Sequence, residues 1–313
     1  MPANRVVHSP PVTVRHCPSC EVDVQLAYDV FADSADSTAD VIVLTSALNG
    51  NMMMYDDAFC TKLADSGPFR VVRYDNRDVG KSTKMDHKGK WLLAPQLLPR
   101  WMWKMKAPYT LEDMAVDCVS RLKNVLNVEK AHFAGSSMGG MIAQLVAIRH
   151  RKLVLSLTSI ASTTGGRDLP SPPFSILLGY LDKPKSNSLR DRLDFKSDYD
   201  RRVCWPTAQL DAEADKFIVD DSRRQLEYSL YTGGVVRLLT AIGQCAPRDA
   251  LLQSLDVPAV VVHGGLDRLV PPAHGARTAK CIRGSRHVVL PEYGHNLPGD
   301  ARHWPVVEIG RAS

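Results

Sequence analysis

The sequence predicts an α/β fold, with a mostly parallel central sheet flanked by helices and interrupted by a helical cap insertion. Three observations carry that expectation. A continuous apolar run at residues 41–44 has the pattern of a strand buried on both faces of a parallel sheet, and the stretches at 153–160 and 257–263 read as further buried strands. Helix-like stretches alternate with these runs, and that rhythm implies right-handed crossovers. From 167 to 246 the strand rhythm stops.

Taken in order, residues 12–16 and 22–31 are β-prone and flank Cys17-Pro18-Ser19-Cys20, which reads as a hairpin turn. Residues 33–40 are the next loop. The Cys-X-X-Cys spacing also suits a redox pair or half a zinc site. A four-ligand zinc site needs a second Cys/His pair, however, and a thioredoxin-type motif opens a helix, so these read as turn cysteines without a function of their own. The run at 41–44 ends in Thr45-Ser46-Ala47-Leu48-Asn49-Gly50-Asn51. Residues 56–66 read as a helix with Phe59, Leu63 and Ala64 on one face. Residues 69–74 form the next strand, and Asp75 and Asp78 just beyond it are expected to fix their loop by pairing with Arg73 or Arg77.

Residues 86–108 interrupt the rhythm with Trp91, Trp101 and Trp103, interleaved with Lys88, Lys90, Arg100, Lys104 and Lys106. Pro95, Pro99 and Pro108 break the stretch into short pieces. It reads either as a loop folded over a pocket mouth or as a segment touching a membrane interface. Thr110-Leu111-Glu112-Asp113 then opens a helix with a threonine cap and an acid three residues on. A strand, a glycine-flanked serine turn and a helix over 141–149 follow, and the strand at 153–160 closes in Ser162-Thr163-Thr164-Gly165-Gly166. The insertion at 167–246 begins with Pro170, Pro172 and Pro173 and carries two expected helices, 212–230 and 234–242. Residues 1–166 and 247–313 are thereby left as the core. Strand character resumes at 257–263 and 286–290.

Composition narrows the function. At 313 residues, 44% hydrophobic and 23% charged, the chain has the make-up of a soluble globular protein that buries about three quarters of its unfolded surface. A net charge of +5 without a run of basic residues argues against a nucleic-acid partner. The 7 cysteines are scattered and odd in number, and no apolar segment reaches membrane-spanning length, so a reduced, cytoplasmic setting is expected. The amino terminus lacks the apolar centre of a secretory signal. Its first twenty residues, free of acids and carrying Arg5 and Arg15, leave an organelle-targeting reading open.

The chemistry is expected at Gly135-Ser136-Ser137-Met138-Gly139. A Gly-X-Ser-X-Gly turn between a strand and a helix pushes the central side chain, Ser137, out of the sheet edge on a strained backbone. Such a serine needs a base and a group that orients the base, in the chain order serine, acid, histidine. Asp267 and His295 each fall just past the carboxyl end of a late strand, at the edge that carries Ser137, where open α/β sheets bind ligands. His295 would take the serine proton and return it to the leaving group, and Asp267 would fix the imidazole tautomer. The oxyanion would rest on the N–H groups of Met138 and Leu48. His132 and His263, within strand runs, read as core or sheet-end residues.

At these residues the chain resembles the α/β-hydrolase fold superfamily. The motifs that carry the resemblance are Gly135-Ser136-Ser137-Met138-Gly139-Gly140, Tyr74-Asp75-Asn76-Arg77-Asp78-Val79-Gly80-Lys81-Ser82, His263-Gly264-Gly265-Leu266-Asp267 and Gly294-His295-Asn296-Leu297-Pro298. Within the superfamily it is similar to methylesterases acting on aclacinomycin-type polyketides. The resemblance implies a serine carboxylesterase with a helical cap and no cofactor or metal, acting on a small or medium apolar ester. It departs from the pattern in two places. Ser46-Ala47 replace the His-Gly that often precedes the first oxyanion residue, and Pro305 and Gly310 weaken the final helix. Lipase or lysophospholipase activity, carbon–carbon bond hydrolysis and perhydrolysis use the same triad on this fold. From another class, a low-turnover ligand-binding module would keep the fold alone.

Overall fold

The computed structural model describes residues 5–18, 20–32, 39–86, 107–173, 175–176, 179, 182–204 and 211–295. The Trp-rich stretch and the carboxyl-terminal tail, both subjects of the expectations above, lie outside the described residues. The strands are β1 (Arg5–Cys17), β2 (Val22–Ala32), β3 (Asp40–Thr45), β4 (Phe69–Tyr74), β5 (Ala131–Ser136), β6 (Val154–Ile160), β7 (Ala259–Gly264) and β8 (Arg286–Leu290). The helices are α1 (Asp57–Asp65), α2 (Leu111–Asn124), α3 (Met138–Arg149), α4 (Leu189–Cys204), α5 (Ala212–Tyr228), α6 (Val235–Gln244), α7 (Asp249–Gln253) and α8 (Ala273–Cys281).

One sheet holds all eight strands in the order β1-β2-β4-β3-β5-β6-β7-β8. β2 runs antiparallel to both of its neighbours, and the remaining pairings are parallel. The chain therefore steps from β3 outward to β4 and then crosses back to β5 on the other side of β3. That reversal opens a crevice at the carboxyl end of β3, between the loops that leave β4 and β5.

Alternation along β3 builds the two layers. Ile42 and Leu44 face α1 with Phe59 and Leu63, while Val41 and Val43 face α2 and α3 with Phe133, Ile142 and Leu145. α3 buries every residue from Met138 to Ala147, as expected of a helix apolar on nearly all sides, and its one buried side-chain amide, Gln144, is paired with Ser159 and Arg248. α2 starts on the expected capping box: Asp113 N–H donates to Thr110 Oγ1 at 3.1 Å, and Thr110 N–H donates to Asp113 Oδ2 at 3.0 Å.

Several elements differ from the sequence expectation. The first strand begins at Arg5, because β2 pairs with it along its whole length, and a register shift between Ser9 and Val12 accommodates Pro10 and Pro11. α3 begins at Met138, since Gly139 and Gly140 sit against neighbouring backbone where helix propensity is overridden by close packing. The stretch between β6 and β7 carries α4 and the short α7 in addition to the two expected helices. The sequence of α4 is mostly charged, so its apolar stripe is thin; Leu193 and Val203 are buried, and Arg201 Nε pairs with Asp215 of α5 at 2.6 Å. The short helices α7 and α8 were likewise too weakly patterned to be expected. Among the described residues no helix is long and apolar enough to cross a membrane.

Candidate active site

Ser137 stands at the end of β5 with φ 54° and ψ −116°, a left-handed conformation that costs a non-glycine residue about 1–3 kcal/mol. Its surroundings over-determine that geometry. Ser137 N–H donates to Ile160 O at 2.8 Å, and Ser162 Oγ donates to Ser137 O at 2.7 Å. A Cβ on Gly135 would strike the Gly139 carbonyl, and one on Gly139 would strike the Thr45 carbonyl. The two motif glycines therefore let the turn fold tightly and let the start of α3 lie against the end of β3. Ser137 is nearly buried, at 7% exposure.

Asp267 and His295 meet. His295 Nδ1 lies 2.8 Å from Asp267 Oδ2, so the ring proton sits on Nδ1 and the Nε2 lone pair is left for another partner. The two loops that carry them are joined by backbone: Gly265 N–H donates to Leu290 O and Leu266 N–H to Tyr293 O, both at 2.8 Å. A Cβ on Gly264 would collide with the Tyr293 and Gly294 carbonyls. The other carboxylate oxygen, Asp267 Oδ1, accepts from Leu269 N–H at 2.9 Å and from Val270 N–H at 2.8 Å. Burial alone would push this carboxyl up. The charge of His295 and the hydrogen bonds from His263, His295 and Val270 N–H outweigh burial and hold it well below the usual carboxylate range. Among the described residues no hydrogen bond joins the Ser137 hydroxyl to His295.

His263, expected to be a plain sheet-end residue, is a second histidine on the same carboxylate. Its Nε2 is 3.4 Å from Asp267 Oδ2 and donates to Val270 O at 2.8 Å. Gly275 of α8 makes room for the ring. A histidine at a strand end four residues before the candidate acid was the available signal.

Leu48 lies in a tight turn after β3, closed by Gly50 N–H donating to Ala47 O at 3.1 Å, with Asn49 at φ 57°. Neither Leu48 N–H nor Met138 N–H has an acceptor among the described residues. For Met138 this follows from its place at the start of α3, where the dipole favours negative charge. Ser46 is buried, and its hydroxyl donates to Asn51 O at 3.3 Å while Asn76 Nδ2 donates to its carbonyl at 3.4 Å.

The expected pairing of Asp75 and Asp78 with Arg73 or Arg77 is replaced by another. Arg73 pairs with Asp29 at 2.6 Å, and Arg77 pairs with Asp117 at 2.6 Å while also donating to the sulfurs of Cys17 and Cys20 at 3.3 and 3.2 Å. Arg73 lies over Phe31 and Arg77 over Tyr109, in the two separate core clusters on either side of the sheet. Asp78 instead takes both ends of the Arg237 guanidinium, at 2.6 and 2.8 Å, with Tyr109 and Tyr231 hydroxyls at 2.8 and 3.1 Å. Asp75 binds Met52, Lys81 and Tyr228. Both acids thus tie the crevice to the helices between β6 and β7. Among the described residues no group of three or more His, Cys, Asp or Glu side chains is placed to hold a metal ion.

Residues 40–301 match the model of a family described as the alpha/beta hydrolase fold. The chain belongs to that family. Within the hydrolase family, it is 25% identical to the rhodomycin D methylesterase of Streptomyces peucetius over 88% of this chain and 90% of that protein. It is 28% identical to a pimeloyl-[acyl-carrier protein] methyl ester esterase of Neisseria meningitidis over 53% of this chain and 62% of that one. Among solved structures it superposes on the enol-lactonase of Burkholderia xenovorans with a TM-score of 0.65 at 23% identity, covering 91% of this chain and 96% of the other.

Proposed function

We propose that this hydrolase-fold chain is a serine esterase that cleaves a small or medium apolar carboxylic ester, with Ser137 as nucleophile, His295 as general base and acid, and Asp267 as the group that orients the imidazole. The observation that carries the reading is the 2.8 Å Asp267–His295 hydrogen bond, formed at the same sheet edge as a strained serine turn. With its proton held on Nδ1, His295 removes the Ser137 proton through Nε2 as Oγ attacks the ester carbonyl. The tetrahedral oxyanion is met by Leu48 and Met138 N–H, and collapse releases the alcohol protonated by His295. Water, deprotonated by the same nitrogen, then hydrolyses the acyl-enzyme. Asp267, held well below its ordinary range, remains a carboxylate throughout and stabilises the transient imidazolium.

A methyl ester is the favoured substrate class, supported by the two methyl-ester-cleaving relatives. The helices at 167–246 act as a cap over the acyl or alcohol part, supported by their ties to the loops after β3 and β4. A fluorophosphonate probe tests the nucleophile: wild type reacts and Ser137→Ala does not. A wild-type protein as inert as Ser137→Ala rejects the proposal. A panel of methyl and longer alkyl esters with varied acyl size then reads the pocket.

A further inference from the structure

Asp75 follows β4 and is fully buried. No step of the proposed reaction uses it, yet it carries a convergent set of donors from three separate parts of the chain. Met52 N–H donates to Oδ1 at 2.7 Å. Lys81 N–H donates to Oδ2 at 2.7 Å, and the Tyr228 hydroxyl, at the end of α5, donates to Oδ2 at 2.8 Å. Gly80, at φ 52°, leaves no space for a Cβ because the carboxylate lies where that atom would stand.

Met52 is the first residue of the short helical turn Met52–Met54, reached directly from the turn that contains Leu48. The segment is fastened at both ends. Its near end lies on the start of α3, where Thr45 and Ser46 carbonyls abut Gly139. Its far end is held by Asp75 and by α5: Asn51 Nδ2 donates to Gln225 O at 2.8 Å, and Arg224 Nε donates to Met53 O at 2.9 Å. Ser46 Oγ closes the loop onto Asn51. The position of Leu48 N–H is therefore set between a rigid end on the serine turn and an end shared by Asp75 and α5.

We infer that Asp75 is a positioning residue for the oxyanion loop, and that its hydrogen bond to Tyr228 makes the placement of Leu48 N–H depend on the docking of α5. The inference rests on the esterase reading above. It gives the inserted helices a second role. A substrate that seats α5 against Asp75 completes the donor pair, whereas one that lifts α5 enters the crevice but meets a weaker oxyanion site. Selectivity then shows in kcat as well as in KM.

The test compares Asp75→Asn and Tyr228→Phe with wild type in ester turnover, in fluorophosphonate labelling rate, and in affinity for a trifluoromethyl ketone, whose hydrate-like adduct on the serine places an oxyanion in the hole. Asparagine keeps the shape but offers one acceptor where three donors converge. Asp75→Asn is expected to lower kcat about 10²-fold, the loss typical of one oxyanion donor, with KM little changed and ketone affinity falling in step with kcat/KM. Tyr228→Phe, at a half-buried position, is expected to lower kcat about tenfold, as for one hydrogen bond to a charged group. It carries the test if Asp75→Asn does not fold. Unchanged kcat and ketone affinity in the folded variants, or a rise in KM alone, overturns the inference. If wild type itself resists the fluorophosphonate, the esterase reading fails. If wild type and both variants are labelled at one rate, only the role of Asp75 fails.

Discussion

The serine turn and the Leu48 turn lie side by side, but they are held in opposite ways. The serine turn is built from its own neighbourhood: Gly135 and Gly139 sit two residues either side of Ser137, and its backbone bonds reach the adjacent strand β6 and Ser162. The Leu48 turn is closed locally by Gly50 N–H on Ala47 O and by Ser46 Oγ on Asn51 O, but it is fastened to the rest of the molecule from far along the chain. Its anchors come from Asn76, 30 residues on, and from Gln225, 174 residues on. A locally built element and a remotely tethered one thus lie against each other where Gly139 meets the Thr45 and Ser46 carbonyls. On the proposed mechanism the first fixes Ser137 without help from the helices between β6 and β7, whereas the second makes the placement of Leu48 N–H depend on them.

On the proposed mechanism the largest effects come from the triad. His295→Ala should lower kcat by about 10⁴-fold or more, measured on any ester the wild type turns over. Gly139→Ala attacks the junction of the two turns, since the new methyl must displace the Thr45 carbonyl. Activity should fall by about 10²- to 10³-fold as the oxyanion donors move apart, with a lower melting temperature. A variant with wild-type kcat would show that the two turns are not in register through this contact.

Smaller effects separate the acid loop from both turns. His263→Leu removes the donor to Val270 O and leaves the Asp267 loop looser; a five- to tenfold loss in kcat is expected, corresponding to about 1 kcal/mol. His263→Gln, which can donate from a similar place, should recover most of it. Acid titration gives the sign of the electrostatics. The Asp267 carboxyl is held low in the folded protein, so its stabilisation is complete above its unfolded pKa of about 3.9 and is lost as pH falls toward the folded value. Asp267→Asn should therefore flatten the acid limb of a stability-versus-pH curve. Asp221, on α5, behaves oppositely. Burial pushes its carboxyl up to about 6, so the folded state holds the proton more tightly and stability falls as pH rises from about 4 to about 6. Asp221→Asn should remove that slope, and a slope that persists would assign it to another group.

The fold was legible because burial on both faces leaves continuous apolar runs, as in β3 and β7, and because the order of motifs follows the order of strand ends. Asp267 and His295 could be paired from sequence since each follows a strand directly, and their contact needs only that β7 and β8 be neighbours. The supports were hidden. Nothing in Asp75-Asn76-Arg77-Asp78 tells which acid meets which base, because the partners lie on the two sides of the sheet and on helices 153 and 159 residues further on. Helix α4 escaped notice because ion pairs with α5 supply part of what an apolar stripe supplies elsewhere.

The outer position of β1 bears on how copies of the molecule meet one another. A strand of 13 residues at the rim of a sheet would present a long row of backbone donors and acceptors to any other extended chain. Pro10 and Pro11 remove two donors in its middle, and the shifts of register at Ser9/Val12 and Thr13/Arg15 bend the strand out of a straight template. The opposite rim, β8, has only 5 residues and offers little to pair with. Among the described residues both outer strands of the sheet are blunted against strand-to-strand association, β1 by imino acids and kinks and β8 by brevity. Replacing Pro10 and Pro11 by valine should expose this protection as concentration-dependent association in sedimentation or light scattering.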